Sequence, residues 1–343
     1  MWLERARAVY ETLGDQQGLS EAVGGMGAVY WCQLDYPRAL ACFEQKLHIA
    51  KEVGDRQGAS QAVGSMGVVY TELGDYSLAL ACYGQDLQIA TELGDRLRIG
   101  KVVGNMGTVY LEQGDYRRGL ACYEQQLQIA VESGDRFMTC VSVGNMVPVY
   151  AVQGDYSTAD RLSRQAIVLG RALNIPLYLC EYLLNKADLY VRQRRYDAGQ
   201  HLNHEALSVA TQIERKDIQF LAEVLSVRLR ARLHQIDMPA AIGKLEALLD
   251  EWPEDSQQAA VQYEIWRLDP TQATCRQNAA DLYRDLYART PNIKYRQRYT
   301  ELTRDALPDP TPLPGLPEIV TQNPVDRDAL LAQVDQMITE LEG

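Results

Sequence analysis

Between residues 76 and 92 apolar side chains return at Leu80, Tyr83, Leu87 and Ala90, a spacing that places all four on one face of a helix. The pattern recurs because the sequence repeats itself. VGNMGTVYLEQGDYRRGLACYEQQLQIA at 103–130 appears 40 residues earlier as VGSMGVVYTELGDYSLALACYGQDLQIA, and 40 earlier still as VGGMGAVYWCQLDYPRALACFEQKLHIA at 23–50. Gly-Asp pairs stand at 14–15, 54–55, 74–75, 94–95, 114–115, 134–135 and 154–155, with Leu-Asp at 34–35. The chain is therefore punctuated every 20 residues while its identity repeats every 40, which predicts a helix–turn–helix–turn unit. Glycine accepts the left-handed position after a helix, and aspartate caps the next one. In the second unit this predicts a helix A over about 57–72 and a helix B over about 76–92, with full units starting near Asp15, Asp55, Asp95 and Asp135.

The pattern then decays but keeps its register. LLNKADLY at 183–190 lies 40 residues after VGNMVPVY at 143–150, and RRYDAGQHLNHEALSVA follows as a helix B. Helices of degenerate sequence are predicted over 217–233, 238–250, 257–267 and 273–289, with breaks at Pro253 and Pro291. LPDPTPLPGLPEIVTQNP at 307–324 holds six of the thirteen prolines and predicts an extended, non-helical linker. Beyond it Leu330, Leu331, Val334, Met337, Ile338 and Leu341 predict a short amphipathic helix. The predicted organisation is a half-repeat at 1–14, a regular array at 15–213, degenerate hairpins at 214–304, a linker at 305–324 and a terminal helix at 325–343.

Composition narrows the function classes. With 46% hydrophobic and 23% charged residues the chain is ordinary globular material. No apolar run approaches the roughly 20 residues of a membrane helix, and MWLERARAVYETLGD has no signal-peptide core. Seven cysteines, spread singly, predict reduced thiols and a cytoplasmic setting. A net charge of -12 disfavours nucleic acid and anionic lipid and favours a neutral or basic partner.

Gly67, Tyr70, Gly74-Asp75-Tyr76, Ala79, Tyr83 and Leu87 match the tetratricopeptide repeat in order and spacing. The 40-residue period and the GDR openings at 54–56, 94–96 and 134–136 resemble the longer subclass found in Pins-type modulators, kinesin light chain and bacterial multidomain regulators. The likeness is strong over 14–213, weak over 214–290 and absent from the tail. It implies an all-α right-handed superhelix, an α-solenoid of about seven helical hairpins plus the C-terminal helix, whose concave wall binds something else. Such a fold does not name its partner.

A glycine inside an exposed helix costs about 1 kcal/mol against alanine, so the paired glycines need a reason. The resemblance assigns Gly27, Gly67 and Gly107 to close packing on helix B, where Tyr83 or Tyr123 fills the space. It places Gly24, Gly64, Gly104 and Gly144 on the groove side, as a smooth wall for a ligand backbone; packing of both sets is the plainer alternative. Asn105, Asn145 and Asn185 share one repeat position, which Ser65 and Gly25 hold earlier. An amide offers donor and acceptor together, so a row of them suits an extended main chain, unless they are retained consensus with no ligand. The same resemblance adds Lys101, Thr108, Glu112, Thr71 and Glu72 to the groove, with apolar area from Trp31 and Leu111.

Other features are weaker. Arg56, Arg96 and Arg136 are expected to pair with Glu52, Glu92 and Glu132 four residues back, or else to form an anion stripe. Pro148 predicts a kink in the fourth helix A. Cys42, Cys82 and Cys122 read as small buried hydrophobes, and His201, His204 and Glu205 as too sparse for a metal site. There is no HExxH, P-loop, GxSxG or CxxC motif, so no catalytic residue, metal or cofactor is expected. The half-repeat at 1–14 suggests a longer polypeptide, or another chain over Trp2 and Leu3. The terminal helix is expected to cap the last repeats, to pair with another molecule, or to fold back as a groove ligand. The function expected is a non-enzymatic scaffold that binds a peptide or protein segment, as the sensing part of a bacterial signalling or defence system. An oligomerisation module and a small-ligand or peptide sensor are the alternatives.

Overall fold

The structure, a computed structural model, describes residues 2–322 and 325–342. It is built of helices, with no strand among the described residues. The helices are α1 (Trp2–Leu13), α2 (Gln16–Cys32), α3 (Tyr36–Val53), α4 (Arg56–Leu73), α5 (Tyr76–Leu93), α6 (Arg96–Glu112), α7 (Tyr116–Ser133), α8 (Arg136–Gln153) and α9 (Tyr156–Ala172). They continue as α10 (Pro176–Arg192), α11 (Tyr196–Gln212), α12 (Lys216–Arg232), α13 (Met238–Glu251), α14 (Asp255–Leu268), α15 (Ala273–Arg289), α16 (Ile293–Thr303), α17 (Glu318–Gln322) and α18 (Arg327–Glu342). From α2 to α15 they alternate as the A and B members of seven hairpins. The chain divides into two compact units, residues 1–129 with 311–325, and 130–310 with 326–343.

Local chemistry writes the turns. Asp15, Asp55, Asp95 and Asp135 accept the N–H three residues on at 3.0, 2.8, 2.9 and 2.8 Å, which starts each A helix. Asp35, Asp75, Asp115 and Asp155 do the same for the B helices at 3.2, 3.3, 3.0 and 3.1 Å. The residue before each aspartate is left-handed, with φ of +73° at Gly54 and +76° at Gly74. The turn survives where its glycine does not: Leu34, Asn174, Arg194, Glu214 and His234 hold φ from +49° to +61°. The N–H after each still reaches the carbonyl five residues back, at 2.8 Å for Arg195 to Tyr190 and 2.9 Å for Gln235 to Arg230. Helix packing on both sides holds these turns where the residue itself is strained by roughly 1–2 kcal/mol.

Within the first unit, the second glycine of each pair brings helix A against helix B. A Cβ would stand 2.7 Å from the Phe43 ring at Gly27, 2.6 Å from Tyr83 at Gly67, and 3.0 Å from Tyr123 at Gly107. Leu80, Tyr83, Leu87 and Ala90 are all buried, as their spacing predicts. Gly67→Val forces a branched side chain into the fully buried Tyr83 ring. Overpacking of this kind costs about 1–3 kcal/mol, more than the roughly 1 kcal/mol gained by removing a helical glycine. Urea melts should place the variant below the wild type, by up to about 2 kcal/mol once that gain is subtracted.

α8 runs unbroken from Arg136 to Gln153 through an exposed Pro148. The structure departs from the sequence reading at three places. α16 is an additional helix after Pro291, packed on α15 through Tyr295, Tyr299 and Leu302. The linker is not wholly extended: Pro317 is followed by five proline-free residues that close as α17. Finally, α18 does not lie on the last hairpin but against α9, burying Leu330, Leu331, Val334 and Ile338.

Candidate functional site

The A helices carry the residues predicted for the groove. Asn105 on α6 is half-buried, and so are Asn145 on α8 and Asn185 on α10. None of the three amides makes a hydrogen bond among the described residues. Asn105 and Asn145 each follow a buried glycine, and Asn185 follows the buried Leu184. Earlier copies of the position are spent differently. The Ser65 hydroxyl donates to the Gln61 carbonyl at 2.9 Å, and a Cβ at Gly25 would lie 3.2 Å from the Leu3 side chain.

The remaining predicted residues divide. Lys101, Glu72 and Trp31 are exposed, and Glu112 is half-buried. Thr108 Oγ1 lies 3.0 Å from the Tyr123 hydroxyl and Thr71 Oγ1 3.3 Å from that of Tyr83, so both turn toward helix B. Leu111 does likewise, packing over Gly119, where a Cβ would come within 2.4 Å of it. Gly64 and Gly104 are buried, and the space above them is filled. A Cβ at Gly64 would meet Arg98 at 2.2 Å and Asp86 at 2.3 Å; at Gly104 it would meet Gln126 at 2.2 Å. These contacts are the packing alternative weighed for the first glycine of each pair. Gly144 is covered too, by the Tyr182 ring of the next A helix at 2.2 Å.

Beneath Gly64 lies a buried ion pair. Asp86, 1% exposed, takes Arg98 Nη2 at 2.6 Å and Nε at 3.0 Å, and accepts the Ser60 hydroxyl; Arg98 Nη2 also reaches the Ser60 carbonyl at 2.8 Å. Sequence reasoning missed it, although Arg98 breaks a position held by Gly18 and Gly58. The arginine ladder is also corrected. Arg56 pairs with Glu92 on α5, not with Glu52, which instead lies 3.2 Å from His48. Glu92 is on the neighbouring B helix and faces the start of α4. The pair spans a cleft of about 310 Å³ lined by Lys51, Asp55, Gln85 and Gln88.

The tail is held by side chains that sequence reasoning did not single out. In the first unit the Tyr110 hydroxyl donates to the carbonyls of Pro314 and Gly315 at 3.1 and 3.0 Å. Arg118 Nη1 donates to those of Leu313 and Pro314 at 3.3 and 2.6 Å. Asp115 fixes that arginine through Nε at 2.6 Å, and the guanidinium lies 4.6 Å from the Tyr110 ring centre. Burial pushes the Tyr110 phenol up to about 12, so it remains a donor at any physiological pH. In the second unit Asp335 of α18 accepts Arg161 Nη2 and Gln165 Nε2, both at 2.6 Å, while Arg327 Nη1 donates to the Tyr150 hydroxyl at 2.9 Å. Tyr110 and Tyr150 occupy one repeat position, so each unit holds its part of the tail with the same tyrosine.

Capped hairpins with glycine-seated A–B contacts define a helical-repeat protein. Over residues 19–92 and 103–137 the repeats match profiles described as tetratricopeptide repeat. A comparison with curated proteins finds no match. Among solved structures the chain resembles the apo form of RapI, with 13% identity and a TM-score of 0.59 over 82% of this chain and 99% of that one. It also resembles the apo form of the quorum sensor NprR from B. thuringiensis (15%, TM-score 0.61, 88% and 80%). A Rap protein complexed with competence and sporulation factor is similar to it as well (13%, TM-score 0.60, 83% and 75%). At these identities the likeness is one of fold. No described helix is long and apolar enough to cross a membrane, and no group of three or more His, Cys, Asp or Glu among the described residues is placed to hold a metal ion.

Proposed function

We propose that the protein is a non-enzymatic receptor for a peptide or protein segment, neutral or basic in charge, and that it serves as the sensing part of a bacterial, cytoplasmic regulatory system. The observation that carries the reading is that Asn105 in the first unit, and Asn145 and Asn185 in the second, each present a half-buried amide with no hydrogen bond among the described residues. An unpaired amide that is partly withdrawn from water gains most from a ligand that supplies both a carbonyl and an N–H, as a peptide main chain does. Lys101, Glu72 and Trp31 add exposed charge and apolar area on the same class of helix. The similar structures include NprR in complex with its cognate peptide NprX, and the Rap protein bound to competence and sporulation factor. Both support a peptide as the ligand class.

Partner capture with the wild type and with the triple Asn105/Asn145/Asn185→Ala variant tests it. Three amide contacts of about 1 kcal/mol each correspond to a loss of roughly 100-fold in affinity. Equal recovery of every partner by a variant that melts like the wild type would remove the amides from the site.

A further inference from the structure

The tail contact in the first unit contains a recognition device, and the same device occurs a second time in that unit. Tyr110, Asp115 and Arg118 stand at the turn between α6 and α7. The aspartate caps α7, accepts Arg118 Nε at 2.6 Å, and so lays the guanidinium over the tyrosine ring at 4.6 Å. Two donors, the phenol and Nη1, then point at three successive carbonyls of Leu313-Pro314-Gly315. A proline-rich strand suits this surface. Its prolines have no N–H, and it stays extended without internal hydrogen bonds and presents a row of acceptors beside flat apolar rings. Leu313 is buried by the contact, and Tyr110 has no exposed surface left.

Eighty residues earlier, Tyr30, Asp35 and Arg38 repeat the spacing at the turn between α2 and α3. They also repeat the geometry. Asp35 accepts the Arg38 N–H at 3.2 Å and Nε at 2.5 Å, and the guanidinium lies 4.7 Å from the Tyr30 ring centre. The intervening repeat lacks the device, because Leu78 replaces the arginine after Tyr70 and Asp75. Among the described residues no hydrogen bond or ion pair joins the proline-rich segment to Tyr30 or Arg38. Arg38 is exposed and Tyr30 half-exposed, and Trp31 and Leu34, 65% exposed, flank them where the occupied site has Leu111 and Gly114.

We infer that Tyr30, Asp35 and Arg38, with Trp31 and Leu34 beside them, form a second binding site of the same construction, whose ligand is a proline-rich extended segment of another polypeptide. The chain's own segment is committed to Tyr110 and Arg118, where it is present at the high effective concentration of a tethered ligand, and so it is not available to a second copy. The site lies at the hairpin turn and shares Trp31 with the proposed groove surface but none of the asparagine amides, so Arg38→Ala and the triple asparagine variant test the two proposals separately.

The test uses the full chain and a synthetic peptide, DPTPLPGLPE, which copies residues 309–318. Calorimetric titration is expected to show saturable binding. Arg38→Ala should weaken it at least tenfold, Tyr30→Phe severalfold, and a peptide with its prolines replaced by alanine should bind at least tenfold more weakly. Arg38 is exposed and Tyr30→Phe retains the ring that packs beside Phe43, so both variants should keep the wild-type circular dichroism and melting point. The inference is overturned if the peptide shows no saturation near 1 mM, a free energy of about -4 kcal/mol, or if Arg38→Ala and Tyr30→Phe both bind like the wild type. It is overturned equally if the wild type sediments as a dimer that Arg38→Ala dissolves, since the occupant would then be a second copy's tail.

Discussion

Arg228→Ala is expected to destabilise the second unit by about 3–5 kcal/mol, the usual consequence of leaving one partner of a buried ion pair behind. Arg228 on α12 meets Glu264 on α14 through Nε at 2.6 Å and Nη2 at 2.5 Å, and its Nη1 reaches Asp188 on α10 at 3.3 Å. Glu264 is 2% exposed. Burial alone would raise its carboxyl; the facing Arg228 guanidinium overrides this and holds it below the usual carboxylate range. Without the arginine, the nearest cation to Glu264 is Arg267 at 3.6 Å, on a partly exposed side chain. Trp266, whose ring lies 6.0 Å from that of Tyr263, reports the melt.

Two companion measurements separate the charge from the packing. A double variant, Arg228→Met with Glu264→Leu, should recover most of the loss, because replacing both members of a buried pair by apolar groups is often close to neutral. The pH dependence has a definite sign. In the wild type the folded carboxyl lies below its unfolded value. Its stabilisation is therefore complete above the unfolded range of about 4.3 and is lost as pH falls through the lower folded value. In Arg228→Ala the carboxyl is raised by burial, so protonation relieves it. The gap between variant and wild type should narrow as pH is lowered from 7 to 4. A gap that stays constant would mean that lost packing, not an orphaned charge, sets the cost.

Leu331→Ala is the second large effect. Leu331 is 1% exposed where α18 lies on α9, and truncating a buried leucine costs about 2–5 kcal/mol when the cavity cannot collapse. Here the loss has a ceiling. Once it exceeds the free energy that holds α18 in place, the helix leaves and the remaining hairpins keep their own cores. The expected result is a lower melting point together with cleavage by protease within 325–342 at concentrations that leave the wild type whole. Unchanged cleavage with a lowered melting point would show α18 to be part of one cooperative unit instead of a detachable one.

The parts of the fold that could be read from the sequence are those that residues decide alone or with near neighbours. A Gly-Asp pair fixes a helix end and the next helix start within six residues, so the first eight turns were evident. Past Gly154 the turns persist at 174, 194, 214 and 234 without glycine, and only counting by twenty recovers them. α16 left a fainter trace, Tyr295, Tyr299 and Leu302 at helical spacing after a proline that reads as a break. Pairings between distant residues were not legible. Arg56 had a glutamate four residues back and another 36 residues on, and the choice of Glu92 depends on which side of α3 the turn exits. Arg228 and Glu264 stand 36 residues apart in helices whose other charges face water, so neither looked buried. Arg118 and Tyr110 bind main-chain carbonyls, and a carbonyl has no residue type to search for.

The tail also has a history in time. On a ribosome adding about 5–20 residues per second, every hairpin can close as soon as its forty residues are out. Tyr110 waits for Pro314, 204 residues downstream, and Arg161 for Asp335, 174 downstream. Each nascent chain therefore passes through an interval of roughly 10–40 seconds in which both places are formed and vacant. Whatever meets the protein during its synthesis reaches them before residues 311–342 do.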